Sequence, residues 1–367
     1  MRTFLATTAA LLVLSALTVG IVDPGHRYLR PVPPPAAPLA VGEARRVPIQ
    51  HDERQEKRAF ALLNPRADVV VFGSSRAMTV KTSMLAPGTK LLNLAVSGGT
   101  LDDDLGLYQS LVEADHVPHV ALVYLDAWVF NEHREQERWI SIRDERDRFL
   151  AGVGKLPMTE RARSWSDWVS GRAAEASELV AYPTLRAAVQ QLVQHRGLPS
   201  VKGRIVPVGE LTLEDDAVLW DGSFFSHERF RAPPPEVVEQ LGRAFATGAA
   251  VYSLTPWKVD DTAVDRLAAW LSALRERGVR PLLVLPPYQT HAYDLLMASP
   301  VYGPILARYR QLAQATGVAV CDRVDPRSVP CLPSEFIDGM HTTDVCEQRL
   351  VTSCLRASPQ LSPLAKQ

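Results

Sequence analysis

The chain has 367 residues, a formal net charge of −1 and 28 prolines. The near-neutral charge gives no basic footprint of the kind that nucleic-acid-binding proteins carry, so no nucleic acid is expected as a partner. The sequence has no glycine-rich phosphate loop and no Cys-x-x-Cys or His-Glu-x-x-His spacing, so it predicts no nucleotide or other cofactor and no metal site.

An uncharged, largely apolar stretch follows Arg2 and runs from Phe4 to Val22. Its length is close to the roughly 20 residues that a membrane-spanning helix needs, and no clear Ala-x-Ala cleavage site closes it. We therefore expect residues 1–22 to be a retained membrane anchor, with a cleaved signal segment as the alternative. Positive charges on both sides leave the orientation open. Export is the expectation, which would place the protein on the membrane facing the periplasm or the cell surface.

Residues 23–50 are rich in proline, which predicts an extended, semi-rigid linker. From residue 51 the pattern alternates between short apolar runs and amphipathic stretches, as parallel doubly wound folds require. Strands are predicted at residues 68–73, 90–95, 119–126, 280–286 and 317–321. The fold class predicted is a three-layer α/β/α, flavodoxin-like parallel sheet, made of residues 51–131 and 251–367.

The alternation stops over residues 132–250. We interpret this segment as a mostly helical insertion that lies over the carboxyl edge of the sheet, and its start, Glu132 to Leu150, as a solvated helix because it is charged on nearly every turn.

Four cysteines, Cys321, Cys331, Cys346 and Cys354, lie near the end of the chain. Four cysteines allow three pairings, and an exported protein is expected to oxidise them. In one helix, Cys346 and Cys354 would be about 12 Å apart along the axis, too far for a disulfide. Either each bonds back to Cys321 and Cys331, or the helix breaks.

The first candidate catalytic residue follows the strand predicted at residues 68–73. The run Gly73-Ser74-Ser75-Arg76 predicts a sharp turn into a helix, which would project the Ser75 hydroxyl past the carboxyl end of the strand. Ser75 is therefore a candidate nucleophile. The alternative is that Ser74 and Ser75 only cap the helix.

A candidate base lies near the other end of the chain. In Asp338-Gly339-Met340-His341 a carboxylate precedes an imidazole by three residues, so one loop can present both to Ser75. Asp344 and Glu347 resemble a capping box, which predicts a helix that begins just after His341.

Three blocks together resemble the SGNH (GDSL-like) hydrolase superfamily: Gly73-Ser74-Ser75-Arg76, the run from Asn93 to Thr100, and Asp338-x-x-His341. The resemblance implies Ser75 as nucleophile, His341 as base, Asp338 as its partner and Gly98 as an oxyanion donor. Leu285-Pro286-Pro287-Tyr288, and Ser-Ser-Arg in the first block, look more like the membrane-anchored SGNH-like proteins of envelope and exopolysaccharide acylation.

The resemblance fails at the third block, because no Gly-x-Asn-Asp follows the third predicted strand. Asn131 could supply the oxyanion donor from a shifted position, or Asp126 could line the pocket instead. Loss of one such donor typically costs about a hundredfold to a thousandfold in rate.

The resemblance implies an SGNH-type acetyltransferase or esterase that acts on a carbohydrate or an acylated cell-surface polymer, with a membrane acyl-donor protein as a further partner. The alternative function is a non-catalytic binding or scaffold subunit of an envelope polysaccharide assembly. The irregular third block and the aromatic-bearing insertion motivate that alternative.

Overall fold

The computed structural model describes most of the chain outside the N-terminal stretch and the middle of the insertion. The described residues are 13–15, 17–18, 34–47, 51–133, 137–155, 203–212, 214–225, 233–247, 257–300 and 302–366. Much of the predicted insertion, residues 156–202, lies outside them.

The main sheet has five parallel strands, and each strand end lies within two residues of the predicted one. They are β2 (Val69–Phe72), β3 (Leu91–Asn93), β4 (Val120–Tyr124), β8 (Arg280–Leu285) and β9 (Ala319–Asp322). The spatial order is β3-β2-β4-β8-β9. From β2 the chain adds β3 on one side and then β4, β8 and β9 on the other, so the order of strand addition reverses between β2 and β4. This is the flavodoxin-like order, and ligands in such sheets bind outside the carboxyl ends of the strands at the point of reversal. The fold is therefore mixed α/β, as predicted.

Helices cover both faces of this sheet. They are α1 (Glu53–Leu63), α2 (Leu101–Glu113), α3 (Arg143–Gly152), α4 (Pro235–Ala246), α5 (Asp261–Glu276), α6 (Thr290–Ala298), α7 (Tyr302–Thr316) and α8 (Asp344–Ala357). The side chains of β2 alternate between the two layers, since Val70 and Phe72 join the core with α2 and α5 while Val69 and Val71 join the core with α8. Successive strand residues thus supply both cores of a three-layer arrangement.

A second, four-stranded antiparallel sheet was not predicted. It joins β1 (Glu43–Arg46), at the end of the predicted linker, to β5 (Ile205–Pro207), β6 (Ala217–Leu219) and β7 (Phe224–Phe225) of the insertion. A buried ion pair between Arg45 and Glu56 fixes β1 to α1. The described part of the insertion therefore holds α3 and α4 together with three short strands.

The predicted solvated helix over Glu132 to Leu150 is largely wrong. The described helix in this region is α3, and its Glu145, Arg146, Phe149 and Leu150 are buried against the rest of the molecule. The charges of Arg146 are met by Asp102 of α2, at 2.9 Å from the guanidinium, and by Asp147. A high density of charge here reflects buried ion pairs, so it did not mark a solvated face.

The structure does not bear out the predicted transmembrane helix at Phe4 to Val22. No helix within the described part of the chain is both long enough and apolar enough to cross a bilayer. The structure describes residues 13–15 and 17–18 of this segment as helical, and its remaining residues lie outside the description.

Two disulfides join the last helix to earlier parts of the chain. Cys321 of β9 bonds to Cys354 of α8, and Cys331, in the segment between β9 and α8, bonds to Cys346 of α8. The helix is unbroken, so each of its cysteines bonds back to an earlier one, which is the first of the two alternatives left by the sequence. The bond between Cys331 and Cys346, the inner disulfide, closes the segment that contains Asp338 and His341, and the bond between Cys321 and Cys354 is the outer disulfide.

Candidate active site

Ser75 lies just beyond the carboxyl end of β2, at the point where the sheet order reverses. No regular helix follows it, contrary to the prediction, because the chain continues in tight turns with Ala77 N–H donating to Ser74 O at 2.9 Å. The turn is set up by Gly73, whose φ of 134° favours glycine. A Cβ there would lie 2.7 Å from Tyr124 Cβ. Only glycine lets β2 leave the sheet so close to β4.

Ser74 and Ser75 have different environments. Ser74 is buried, and its hydroxyl accepts a hydrogen bond from Arg76 N–H at 3.2 Å. The Ser75 side chain instead meets His341, with Oγ 2.7 Å from Nε2. The expectation that either serine caps a helix therefore fails, and Ser75 is the serine that reaches a base.

His341 and Asp338 lie on one loop between Cys331 and the start of α8. The imidazole Nδ1 is 2.7 Å from Asp338 Oδ2, so Nδ1 carries the proton and leaves Nε2 free to accept one from Ser75. The other oxygen of Asp338 accepts the backbone N–H groups of Met340 and His341, each at 2.8 Å. The carboxylate thus folds the loop around itself and orients the ring. The helix predicted after His341 begins at Asp344, although its cap is Thr343.

The electrostatics of the loop favour an ionised Asp338 beside a basic imidazole. Burial alone would raise the pKa of Asp338, but the imidazole of His341 and the two backbone N–H groups outweigh it and lower the pKa to about 2. Burial alone would lower the pKa of His341, but the Asp338 carboxylate outweighs it and raises the pKa above its usual value. Both side chains remain about a quarter exposed, at 24% and 26%, so substrate can reach them.

Arg76 is a site residue whose part the sequence did not reveal. Its buried guanidinium pairs with Asp126 at 3.0 Å, donates from Nε to Met340 O at 3.0 Å, and lies 4.3 Å from the centre of the Tyr288 ring. It also donates to the carbonyls of Pro286 and Pro287, which follow β8. One side chain thereby joins the ends of three strands to the loop of His341. The sequence carries no signal for this role, because an arginine in a turn is ordinarily exposed and the acceptors of Arg76 come from distant parts of the chain.

Gly98 lies on the loop that follows β3, which packs against the turn of Ser75. Val96 N–H donates to Gly73 O at 3.1 Å, and a Cβ on Gly99 would lie 2.4 Å from the same oxygen and 3.1 Å from Ser74 Cα. The loop can approach the turn only because residue 99 lacks a side chain. Gly98, whose φ of 57° favours glycine, immediately precedes Gly99 on this loop, and its part as an oxyanion donor stays a prediction.

Asn131 is buried at the end of a short 3₁₀ turn over Ala127–Phe130. Its side-chain oxygen accepts the backbone N–H groups of His133, at 3.1 Å, and Lys258, at 3.3 Å. These contacts join the two chain segments on either side of the insertion. The structure thus gives Asn131 a structural role, and its part as an oxyanion donor stays a prediction.

Asp126, the other residue considered at this point of the sequence, is the buried partner of Arg76. It lies beneath the loop of His341, and its carboxylate is engaged by the guanidinium. In the part of the chain that the structure describes, no cluster of three or more His, Cys, Asp or Glu side chains could hold a metal ion.

A scan against protein-family models finds no match, and a search of curated proteins finds none either. The fold and the site define a doubly wound α/β protein with a serine, a histidine and an aspartate in hydrogen-bonded series at the sheet's point of reversal. The resemblance to SGNH hydrolases gains no support from these comparisons and stays a prediction.

Proposed function

We propose that the protein carries out serine-dependent acyl-ester chemistry, either O-acetyl transfer or ester hydrolysis, on a cell-envelope carbohydrate or polymer. The observation that carries the proposal is the continuous series from Ser75 Oγ through His341 to Asp338, with 2.7 Å at both steps. A serine that only stabilises a turn needs no base, whereas a nucleophile needs one within about 2.6–3.2 Å.

In the first half-reaction, Ser75 Oγ attacks the acyl carbonyl carbon and its proton passes to Nε2 of His341. Asp338 holds the imidazolium that forms, and the loop of Gly98 with the Ser75 N–H holds the oxyanion. The bond from the carbonyl carbon to the leaving oxygen then breaks, and His341 returns the proton to that oxygen. An acyl-serine and a free hydroxyl result.

In the second half-reaction, water or a carbohydrate hydroxyl attacks the acyl-serine, with His341 again as the base. Water gives net hydrolysis, and a sugar hydroxyl gives net transfer. The same residues serve both outcomes, so the access of water to the acyl-serine decides between them. An acylated donor protein would be the source of the acyl group for transfer.

The disulfides support an extracytoplasmic setting. Two disulfides within residues 321–354 persist in an oxidising compartment and are rare in the cytosol. A cell-surface or periplasmic carbohydrate is therefore an accessible substrate.

The test compares the full chain, with its disulfides formed, with Ser75→Ala and Ser74→Ala. Release of acetate from a chromogenic acetyl ester and labelling by a fluorophosphonate probe are measured for each protein. Ser75→Ala should lose both turnover and label. Ser74→Ala is the matched control and should keep the label, because the Ser74 hydroxyl is buried away from His341.

A wild-type protein that is folded by circular dichroism but neither hydrolyses the ester nor takes the label would refute the proposal. The non-catalytic binding subunit would then be the better account. If the label is taken and hydrolysis is slow, addition of candidate carbohydrate acceptors distinguishes transfer from hydrolysis by mass spectrometry of the acetylated product.

A further inference from the structure

The two residues on either side of His341 are each held by a buried charged side chain. Met340 O accepts the Nε–H of Arg76 at 3.0 Å, and Thr342 Oγ1 donates to Glu347 Oε2 at 2.6 Å. Neither contact involves the imidazole itself. Together they fix the main chain immediately before His341 and the side chain immediately after it.

Glu347 is a fully buried carboxylate in the first turns of α8. Its second oxygen accepts the hydroxyl of Tyr124 at 2.6 Å, so both oxygens are engaged. Burial raises the pKa of Glu347 to about 7, against the two hydroxyl hydrogen bonds and the positive charge of Arg76. The charged or titratable groups that face it are Tyr124 of β4, Arg76 of the turn after β2, and Asp344 of its own helix.

Arg76 and Glu347 both contact residues at the carboxyl end of β4. Arg76 is paired with Asp126, and Glu347 is hydrogen-bonded to Tyr124, the last residue of β4. Since β4 is the middle strand of the sheet and is buried along its length, its carboxyl end is a rigid reference point. Two independent routes therefore connect that point to the two neighbours of His341.

We propose that Arg76 and Glu347 are positioning residues that hold His341 in line between Ser75 and Asp338, with the carboxyl end of β4 as their common anchor. The proposal rests on the proposed function for its kinetic consequences. The proposal also gives a role to the carboxyl end of β4, where the Gly-x-Asn-Asp block is missing. In this protein, Tyr124 and Asp126 at that strand end orient the base through Glu347 and Arg76.

A purely structural role would have different consequences. Removal of one partner of a buried pair leaves the other partner unsatisfied and destabilises the fold. A purely structural role therefore predicts lower stability with normal kinetics of the molecules that remain folded. A misplacement of about 1 Å in a catalytic group, by contrast, can cost about a hundredfold in rate, so a positioning role predicts slower chemistry in the folded protein as well.

The test uses the full chain and three single-residue variants, Tyr124→Phe, Glu347→Gln and Arg76→Lys. Tyr124→Phe removes one hydroxyl and leaves the loop of His341 untouched, so it is the variant least prone to misfold. The matched control is Tyr108→Phe, because Tyr108 is buried and its hydroxyl has no hydrogen-bond partner among the described residues.

For Tyr124→Phe, Glu347→Gln and Arg76→Lys we expect kcat to fall about ten- to hundredfold with little change in KM, at a temperature well below the melting point of each variant, while Tyr108→Phe keeps the wild-type kcat. The acid limb of the wild-type rate profile should contain two ionisations, one from His341 and one from Glu347. Glu347→Gln should leave one. Wild-type kcat and an unchanged pH profile in Glu347→Gln and Tyr124→Phe would overturn the proposal.

A second measurement does not need catalysis. The imidazole resonances of His341, assigned by their loss in His341→Gln, are followed by NMR against pH. We expect them to shift in Tyr124→Phe and Glu347→Gln and to stay unchanged in Tyr108→Phe. Unchanged His341 resonances in both variants would refute the positioning role. An ester assay that fails in wild type, with these shifts present, would refute the proposed function alone.

Discussion

The inner disulfide offers the sharpest test of how the site is built. The bond between Cys331 and Cys346 closes a loop of 15 residues that contains both Asp338 and His341. Loop-closure entropy assigns a closed loop of that length about 3 kcal/mol of stability, and the 33-residue loop closed by the outer disulfide about 3.7 kcal/mol. Replacement of either pair by alanine should thus lower the free energy of unfolding by a similar amount.

The two pairs should differ in their effect on the site. Loss of the inner bridge frees the loop of Asp338 and His341, so the rate of Ser75 labelling by a fluorophosphonate should fall at least about tenfold at temperatures well below unfolding. Loss of the outer bridge leaves that loop closed, so the labelling rate should stay near that of the wild type despite an equal or larger loss of stability.

Urea unfolding gives the stabilities, and gel fluorescence of the labelled protein gives the rates. If the inner double variant loses about 3 kcal/mol but labels Ser75 at the wild-type rate, the bridge does not hold the site in place and the reasoning fails. Equal losses of labelling in the two double variants would count against it as well.

Three further predictions concern the base, the oxyanion loop and the core. Activity requires a neutral His341, and Asp338 raises the pKa of that imidazole above its usual value. The pH–rate profile of ester hydrolysis should therefore fall on the acid side, in a limb with an apparent pKa above the roughly 6.5 of a free histidine. In Asp338→Asn the limb should move to lower pH, because burial still opposes the charged imidazole, and kcat should drop about ten-thousandfold; an unmoved limb would contradict the assignment. Gly99→Ala places a Cβ 2.4 Å from Gly73 O, so we expect an approximately hundredfold loss of ester turnover from displacement of the loop, and wild-type turnover in a folded variant would count against an oxyanion role. Trp270→Ala, at a fully buried position of the core, should cost about 3–5 kcal/mol in urea unfolding while kcat of the folded fraction is retained.

The parallel sheet could be predicted because each of its strands is built around a short apolar run. Burial on both faces of the inner strands favours that composition, and the pattern is visible without knowledge of the pairing partners. Strand β1 has no such signature, since Glu43–Arg46 has three charged residues out of four. It is a strand because Arg45 finds Glu56 and because residues 205–207 and 217–219 pair with it. The strands that pair with β1 lie far from it in sequence, so the residues of β1 carry no local signal of a strand.

The site was predictable where the chemistry itself dictates residue types. A nucleophile after a strand and a carboxylate three residues before an imidazole are informative patterns, and the structure brings Ser75, Asp338 and His341 together. The helix predicted after Ser75 was wrong because the Arg76 side chain turns inward to Asp126 and to backbone carbonyls, which replaces helical bonding with successive tight turns. That interaction depends on three strand ends and could not be inferred from one motif.

The order of the strands also bears on how the chain comes to be folded during synthesis. The pairing of β4 with β8 joins Val120 to Arg280, so β4 emerges about 160 residues before its neighbour. At roughly 5–20 residues per second, one edge of β4 is open to solvent for about 8–30 s. Unpaired strand edges invite association with other chains. All four strands of the small sheet, by contrast, lie before residue 226, so each of them is made before β8. Ser75 therefore stays without its hydrogen-bond partner His341 until the last tenth of the chain has been made.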